Sequence, residues 1–394
     1  MRNDPVDWLS GRRRGVAALL VRSGLWCAQW PYRAAIALRN RRFDAGRGVE
    51  RVEVPVIALG NLTTGGTGKT PAVIWVCRRL REQGVRVATI SRGYGADRAT
   101  GQNDEALELE RSLPDVPHLQ NPDRVEAARL AIDELASRCL VLDDAFQHRR
   151  IARDLDWVLI DARNPFGFGY LLPRGLLREP RSSLRRADAV LLTRADQVSA
   201  AERERLRAEV ARHVRPGVPI VATTHRPLAW VSALGASLPI ERSFSAGEPG
   251  IPSRVAAFCG IGNPEAFRGT LESIGIRPCA WRTYPDHHRF TREDLAELAE
   301  WVAASGAEGA VCTIKDLVKL STPRIGRVPL WGLEIGLAPI DDPQPLDEQL
   351  ARIAERALAE EELSGEFADA GWAIERSDET PQEPNEQGGA TTRS

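Results

Sequence analysis

Lysine is almost missing from this chain. Of 53 basic residues only Lys69, Lys315 and Lys319 are lysines, and arginine carries the rest. The two side chains are not interchangeable, because arginine presents a planar fork and lysine a compact ammonium on a flexible stem. A lysine kept in so arginine-rich a chain therefore marks a place that needs a single-point charge. Paired cysteines are lacking as well. The six cysteines lie far apart with no Cys-x-x-Cys spacing, which excludes a disulfide framework. Cys77, Cys139, Cys259 and Cys312 fall inside apolar runs, as reduced core residues of a cytosolic protein do. No stretch reaches the roughly 18 uninterrupted apolar residues of a spanning helix, and no signal-peptide cleavage site is evident. With 394 residues and a formal net charge of −1, the composition predicts two or three domains and no nucleic-acid partner.

One of the three lysines sits in Thr63-Thr64-Gly65-Gly66-Thr67-Gly68-Lys69-Thr70. In a phosphate-binding loop, backbone N–H groups of a glycine-rich turn cradle the phosphates. The lysine reaches the β/γ-phosphates, and the following hydroxyl holds Mg²⁺. The strict pattern wants glycine at position 63, so a literal motif search misses this one. Its context supplies the required order. An apolar, partly β-branched run over 54–59 predicts a strand before the loop, and Pro71 followed by apolar residues at helical spacing predicts a helix over 71–81.

The ends are polarised. Residues 1–51 carry eleven arginines against four carboxylates, and residues 361–394 carry nine carboxylates against two arginines. The first stretch holds Trp26, Trp30 and Tyr32 between Arg12–Arg14 and Arg39–Arg42, interrupted by Arg22, Gln29, Pro31 and Arg33. It suits an anionic bilayer interface, with packing on its own domain as the alternative. The expected organisation is a basic amphipathic helix at 1–46, a P-loop core at 47–226, and a connector without periodicity at 227–253. A second α/β domain at 254–363 closes over the active site, and an acidic disordered tail occupies 364–394. In the core, strands at 85–91, 139–143, 156–161, 188–193 and 219–224 alternate with helices, which implies a parallel sheet covered on both faces.

Other residues must say where the phosphate goes. Cys139-Leu-Val-Leu-Asp143-Asp144 is an apolar strand ending in two carboxylates, which delivers an acid to the metal region; either one can be the Mg²⁺ partner. Asp104 and Glu105 lie in a polar stretch with no evident packing duty, expected to be a solvated loop. Tyr284-Pro-Asp286-His287-His288 puts two imidazoles beside a carboxylate. With no third ligand suitably spaced, an orienting role fits better than zinc, and one imidazole can hold a catalytic Asp from the other domain ready to accept a hydroxyl proton. Leu191-Leu-Thr-Arg-Ala-Asp196 is similar to the element that reads a base in some NTPases. Thr313-Ile-Lys315-Asp316 and Lys319 hold the remaining lysines, with no role legible.

Taken together these motifs resemble the tetraacyldisaccharide 4′-kinase family. The matching segments run in order from Gly60–Pro71 through Ser91–Gly95, Asp104-Glu105, Asp123-Arg124, Leu142–His148, Leu172–Pro180, Pro285–His288 and Thr313–Asp316. The displaced glycines of the loop are that family's own pattern. Departures are Ala145 where glycine is usual, Asn103 where glycine precedes the Asp-Glu pair, and Arg174 and Leu176 in place of Ala and Pro. The resemblance implies ATP- and Mg²⁺-dependent phosphorylation of the 4′-hydroxyl of a tetraacylated glucosamine disaccharide 1-phosphate at the cytoplasmic face of the inner membrane. It assigns Thr63–Thr70 to nucleotide phosphates, and Thr70, Asp143, Asp144 and Glu105 to the metal region. Asp104 and His287 become the base pair, while Arg178, Arg92 and Gln147 become substrate or phosphate contacts. The expected partners are this lipid and an anionic membrane surface, with no obligate protein partner. The rivals are a P-loop switch or partitioning-type ATPase and a soluble small-molecule kinase.

Overall fold

The computed structural model describes residues 5–93, 104–240, 251–286, 288–320 and 322–375. A short helix α1 (Pro5–Leu9) and a 29-residue helix α2 (Val16–Asp44) precede the sheet. Then follow β1 (Val56–Asn61), α3 (Lys69–Glu82), β2 (Val87–Ser91), α4 (Asp104–Ser112), β3 (His118–Gln120), α5 (Arg124–Asp133), β4 (Cys139–Leu142), β5 (Leu155–Asp161), β6 (Ala189–Thr193), α6 (Ala200–Ala211) and β7 (Ile220–Ser232). The remainder is β8 (Ser237–Pro239), β9 (Val255–Cys259), α7 (Pro264–Ser273), β10 (Ala280–Thr283), α8 (Arg292–Ser305), β11 (Gly309–Thr313), α9 (Ile314–Leu320), β12 (Arg324–Ile325), β13 (Val328–Pro339) and α10 (Gln344–Glu375).

All strands join one sheet of order β10-β9-β11-β13-β7-β6-β5-β1-β4-β2-β3, with β12 and β8 pairing β13 and β7. Successive residues of a strand point to opposite faces, and the two cores follow that alternation. Ile57, Leu59, Val141, Trp157 and Leu191 pack with α3 and α10 on one face. Val56, Ala58, Leu140 and Leu142 meet α5 on the other.

The sheet consists of two parallel blocks joined by one antiparallel pair. Ile220–Ala222 of β7 pair in parallel with β6, whereas Thr223–Ser232 run on to pair antiparallel with Pro339–Trp331 of β13. The second block thus lies beyond the C-terminal ends of the first and is turned to face it. C-terminal strand ends are where open α/β sheets bind ligands, and here both blocks turn theirs into one cleft.

Four expectations change. Residues 227–232 belong to β7 rather than to a connector. Pro227 lacks an N–H, and the register shifts opposite it at Glu334/Ile335, so a bulge accommodates the proline and hides the strand's periodicity. Helix α10 does not belong to the second block. Leu346, Leu350, Ile353 and Ala357 are buried in the core of the first, and Trp157 Nε1 donates to Gln349 Oε1 at 2.7 Å. That helix continues to Glu375, so 364–375 are described as helix where a tail is expected; 376–394 lie outside the described residues. The polar stretch at Asp104-Glu105 opens α4 instead of lying in a solvated loop, because Ala106, Glu108 and Leu109 behind it are buried.

Candidate active site

The loop after β1 delivers Lys69 as the first residue of α3. Gly68, at φ 84°, caps that helix in the left-handed region, and a Cβ there would lie 2.5 Å from His225 Nε2. Only glycine suits the position. The loop is braced from several sides. Asn61 Nδ2 donates to Thr67 Oγ1 at 2.9 Å, Thr193 Oγ1 to Thr67 O at 2.8 Å and Arg194 Nη1 to Gly66 O at 2.9 Å. Thr64 N donates to Leu176 O at 2.8 Å. Thr63, Thr67 and Thr70 are buried. The outer side is open, since a Cβ built on Gly65 or Gly66 meets nothing within 4 Å. A glycine turn open to one side at the N-terminus of a 14-residue helix is a ready anion cradle, so the residues present fit a nucleotide's phosphates.

Beside the cradle stands Asp144, held at φ 48°, a left-handed conformation that aspartate adopts more readily than most non-glycine residues, though at some cost. Its carboxylate accepts from Arg178 Nη1 at 2.9 Å through both oxygens and lies 3.6 Å from Lys69 Nζ. Burial pushes its pKa up, but Lys69 and Arg178 outweigh that and hold it below the usual value. Arg178 also reaches Gln147 Oε1 at 3.4 Å, while Gln147 Nε2 donates to Asn61 O at 2.8 Å. Asp143 is buried; its Oδ1 accepts from Asp144 N at 2.8 Å, and its carbonyl accepts from the buried Arg124 at 3.2 Å. Ala145 fits without strain because this position has no positive φ and its N–H donates to Leu59 O at 3.0 Å.

Lys69, Asp144, Arg178 and Gln147 are therefore one cluster, with Thr70 and Asp143 adjoining it. Arg92 is exposed at the end of β2, the strand that pairs with β4. Asp104 and Glu105 are the first residues of α4, and nothing further of their side chains is described; His287 lies outside the described residues. Among the described residues no group of three or more His, Cys, Asp or Glu forms a metal cage. Such an acid pair fits Mg²⁺, which binds through one or two carboxylates together with phosphates and water.

Sequence reasoning missed three supports. The Thr193–Asp196 element, similar to a base reader, braces the loop: Arg194 bonds Gly66 and also pairs with Asp161. His225 packs against Gly68, and burial brings its pKa down to about 4. Glu179, fully buried, accepts from Arg39 at 2.8 Å, Asn40 at 3.1 Å and Arg186 at 2.9 Å, while Tyr32 Oη donates to Arg178 O at 2.9 Å. Helix α2 is thereby fastened to the segment that carries Arg178. Only the Arg-Ala-Asp tripeptide left a local signal; apart from Arg186, seven positions after Glu179, the other contacts join residues far apart in sequence.

The profile of the family described as tetraacyldisaccharide-1-P 4′-kinase (LpxK) matches residues 21–355. The tetraacyldisaccharide 4′-kinase of Anaeromyxobacter dehalogenans (strain 2CP-C) is 44% identical over 324 residues, covering 78% of this chain and 84% of the relative. That of Syntrophus aciditrophicus (strain SB) is 40% identical over 314 residues, covering 74% and 82%. Among solved structures, LpxK from Aquifex aeolicus in complex with ATP superposes with a TM-score of 0.66 at 27% identity, covering 84% of this chain and 99% of that one. With the profile spanning most of its length, this chain belongs to the tetraacyldisaccharide-1-P 4′-kinase family.

Proposed function

We propose that this protein transfers the γ-phosphoryl group of ATP to the 4′-hydroxyl of a tetraacyldisaccharide 1-phosphate, giving the 1,4′-bisphosphate. The observation that carries this reading is the convergence of Lys69, Asp144 and Arg178 beside an open glycine cradle in a chain of this family. Phosphoryl transfer asks a protein for position and charge more than for covalent chemistry. Lys69 supplies a point charge; Thr70, one of Asp143 and Asp144, and Glu105 would hold the metal; and Arg178, Gln147 and Arg92 orient phosphate and substrate. When bound, Mg²⁺ neutralises charge on the phosphate oxygens. In this proposal Asp104 acts together with His287 to accept the proton of the acceptor hydroxyl. The facing strand ends of the two blocks support this pairing: α4 begins in the first block at Asp104, and residues 284–286 follow β10 in the second.

Peripheral attachment to an anionic membrane, at the cytoplasmic face of the inner membrane, belongs to the same proposal. Among the described residues no helix is long and apolar enough to cross a bilayer. Helix α2 runs through Pro31 for about 43 Å at 1.5 Å per residue, with only Ala18, Gln29 and Ile36 buried. Val16, Leu19, Leu20, Trp26, Trp30 and Leu38 are exposed, and Arg33 lies over Trp30 at 5.5 Å. Exposed aliphatic and indole groups among arginines suit the boundary between acyl chains and headgroups.

The test is incubation with ATP, Mg²⁺ and the detergent-solubilised disaccharide 1-phosphate lipid, followed by mass spectrometry. One added phosphate on the lipid is expected. Absence of that product sinks the proposal. A nucleotide-dependent dimer without lipid-dependent turnover favours the switch ATPase, and phosphorylation of a water-soluble sugar without detergent favours the soluble kinase.

A further inference from the structure

Thr313-Ile-Lys315-Asp316 has so far no part in the chemistry, although it contains one of three lysines kept in the chain. It closes β11 and opens α9. Asp316 is completely buried. Its Oδ2 accepts from Thr313 Oγ1 at 2.6 Å and from Gly260 N at 3.1 Å, while its own N–H donates to Thr313 Oγ1 at 3.2 Å. The first and third of these bonds close the start of α9, as an acid three residues after a threonine does. The second reaches another strand end.

Gly260 is the hinge point of the contact. A Cβ there would lie 3.3 Å from Pro285 O, 3.3 Å from His288 Cβ and 3.1 Å from Asp316 Oδ1. The backbone that Asp316 holds is therefore packed against the Pro285–His288 turn. That turn is fixed independently at its ends: Tyr284 N donates to Cys259 O at 2.8 Å, and His288 Nε2 lies 3.1 Å from Asp294 Oδ2 at the start of α8. The other side of α9 packs on α4. There Lys315 Nζ lies 3.8 Å from Oε2 of the buried Glu108, and position 104 is one turn before Glu108 on the same helical face.

We propose that Lys315 and Asp316 are positioning residues: α9 is a bracket that sets the separation between the first turn of α4 and the Pro285–His288 turn, and thereby aligns the proton acceptor with the acceptor hydroxyl. This rests on the proposal that Asp104 and His287 form the base. A compact ammonium suits the Lys315 position because it meets one carboxylate oxygen of a buried partner across a close helix contact. Asp316 acts through the Gly260 backbone it holds, and Lys315 through the Glu108 carboxylate on α4.

The experiment uses the full chain with lipid, ATP and Mg²⁺, and compares Asp316→Asn, Lys315→Met, His287→Ala, Asp104→Ala and the doubles Asp316→Asn/His287→Ala and Lys315→Met/His287→Ala. A misplacement near 1 Å costs on the order of 100-fold in rate. Asp316→Asn and Lys315→Met should accordingly lower kcat by about 10- to 100-fold while KM for ATP stays within about twofold. In the His287→Ala background either change should cost less than about threefold, since no aligned base remains to be disturbed. Equal losses with and without His287 would overturn the bracket while leaving the base pair standing. Full activity in Asp104→Ala and His287→Ala would remove the base pair itself, a separate failure. Lys315→Met alters a partly exposed side chain and keeps the test decisive should Asp316→Asn not fold. Should Lys315→Met raise KM for ATP with kcat unchanged, the bracket is likewise refuted.

Discussion

Replacing Glu179 by glutamine should loosen helix α2 and the active site together. The carboxylate is fully buried, and its contacts are Arg39 at 2.8 Å, Arg186 at 2.9 Å and Asn40 at 3.1 Å. Glutamine keeps the shape but turns one acceptor into a donor that faces donors, and it leaves two guanidinium groups without their counter-charge. Hydrogen bonds to charged groups contribute about 1.5–3 kcal/mol each. Arg39 is about one-third exposed at 36%, so its share is discounted for solvent screening. A total loss of about 3 kcal/mol follows, which is roughly a hundredfold in the folded-to-unfolded ratio. The functional loss has its own route. Tyr32 holds the carbonyl of Arg178, the residue before Glu179, and burial pushes the Tyr32 phenol up so that it stays a donor. With the neighbouring clamp gone, the Arg178 side chain on Asp144 loses its fixed base. Urea unfolding followed by tryptophan fluorescence, paired with lipid kinase kinetics, measures both effects. A loss under about 1 kcal/mol with unchanged kcat would refute the reasoning, because it would mean that water or a neighbour replaces the carboxylate without effort.

Lys69→Arg should fall close to Lys69→Ala in kcat, since a planar fork cannot sit where a point charge approaches Asp144 and the phosphates; a rate near that of the unaltered protein contradicts this. Deleting residues 6–42 should reduce both partition onto anionic vesicles and activity on lipid, and high salt should weaken the attachment of the full chain without abolishing it; unchanged partition after deletion would show that α2 only packs on its own protein. Acid should destabilise the fold. Burial holds His118, His148 and His225 at about 4, below the unfolded value near 6.5, so stability present above pH 6.5 is lost as pH falls toward 4. Asp156, raised to about 6 by burial, works the other way from pH 6 downward, but one group opposes three. Tm should drop steadily between pH 6.5 and 4.5 in a calorimetric series, and a flat or rising Tm would count against these protonation states.

How much of the fold and the site is legible in the sequence follows physical range. The strand, loop and helix around Lys69 announce themselves through local pattern, and the scarcity of lysine is enough to single out the residue. Asp143 and Asp144 are legible as acids ending an apolar run, though not the strained φ of Asp144 or its choice of Lys69 and Arg178. Arg178 comes only by resemblance, because its partner is 34 positions away. Strand β13 and the end of β7 escape notice since Pro227 and the bulge break their alternation, and together they decide that there is one sheet rather than two. Helix α4 is obscured by its own polarity. Its buried Glu108 meets Lys315, some two hundred positions later.

The seam between β7 and β13 has a further consequence, for how the protein comes apart. Nine register pairs, from Trp331↔Ser232 to Pro339↔Thr223, make backbone pairing continuous from β10 to β3, and α10 returns from the far block to cover the near one. Lobes tied by a linker can swing and melt independently; these cannot do either without tearing a central ladder. Amide exchange across β7 and β13 should then be as slow as global unfolding, with entry to the cleft left to the loops at its rim.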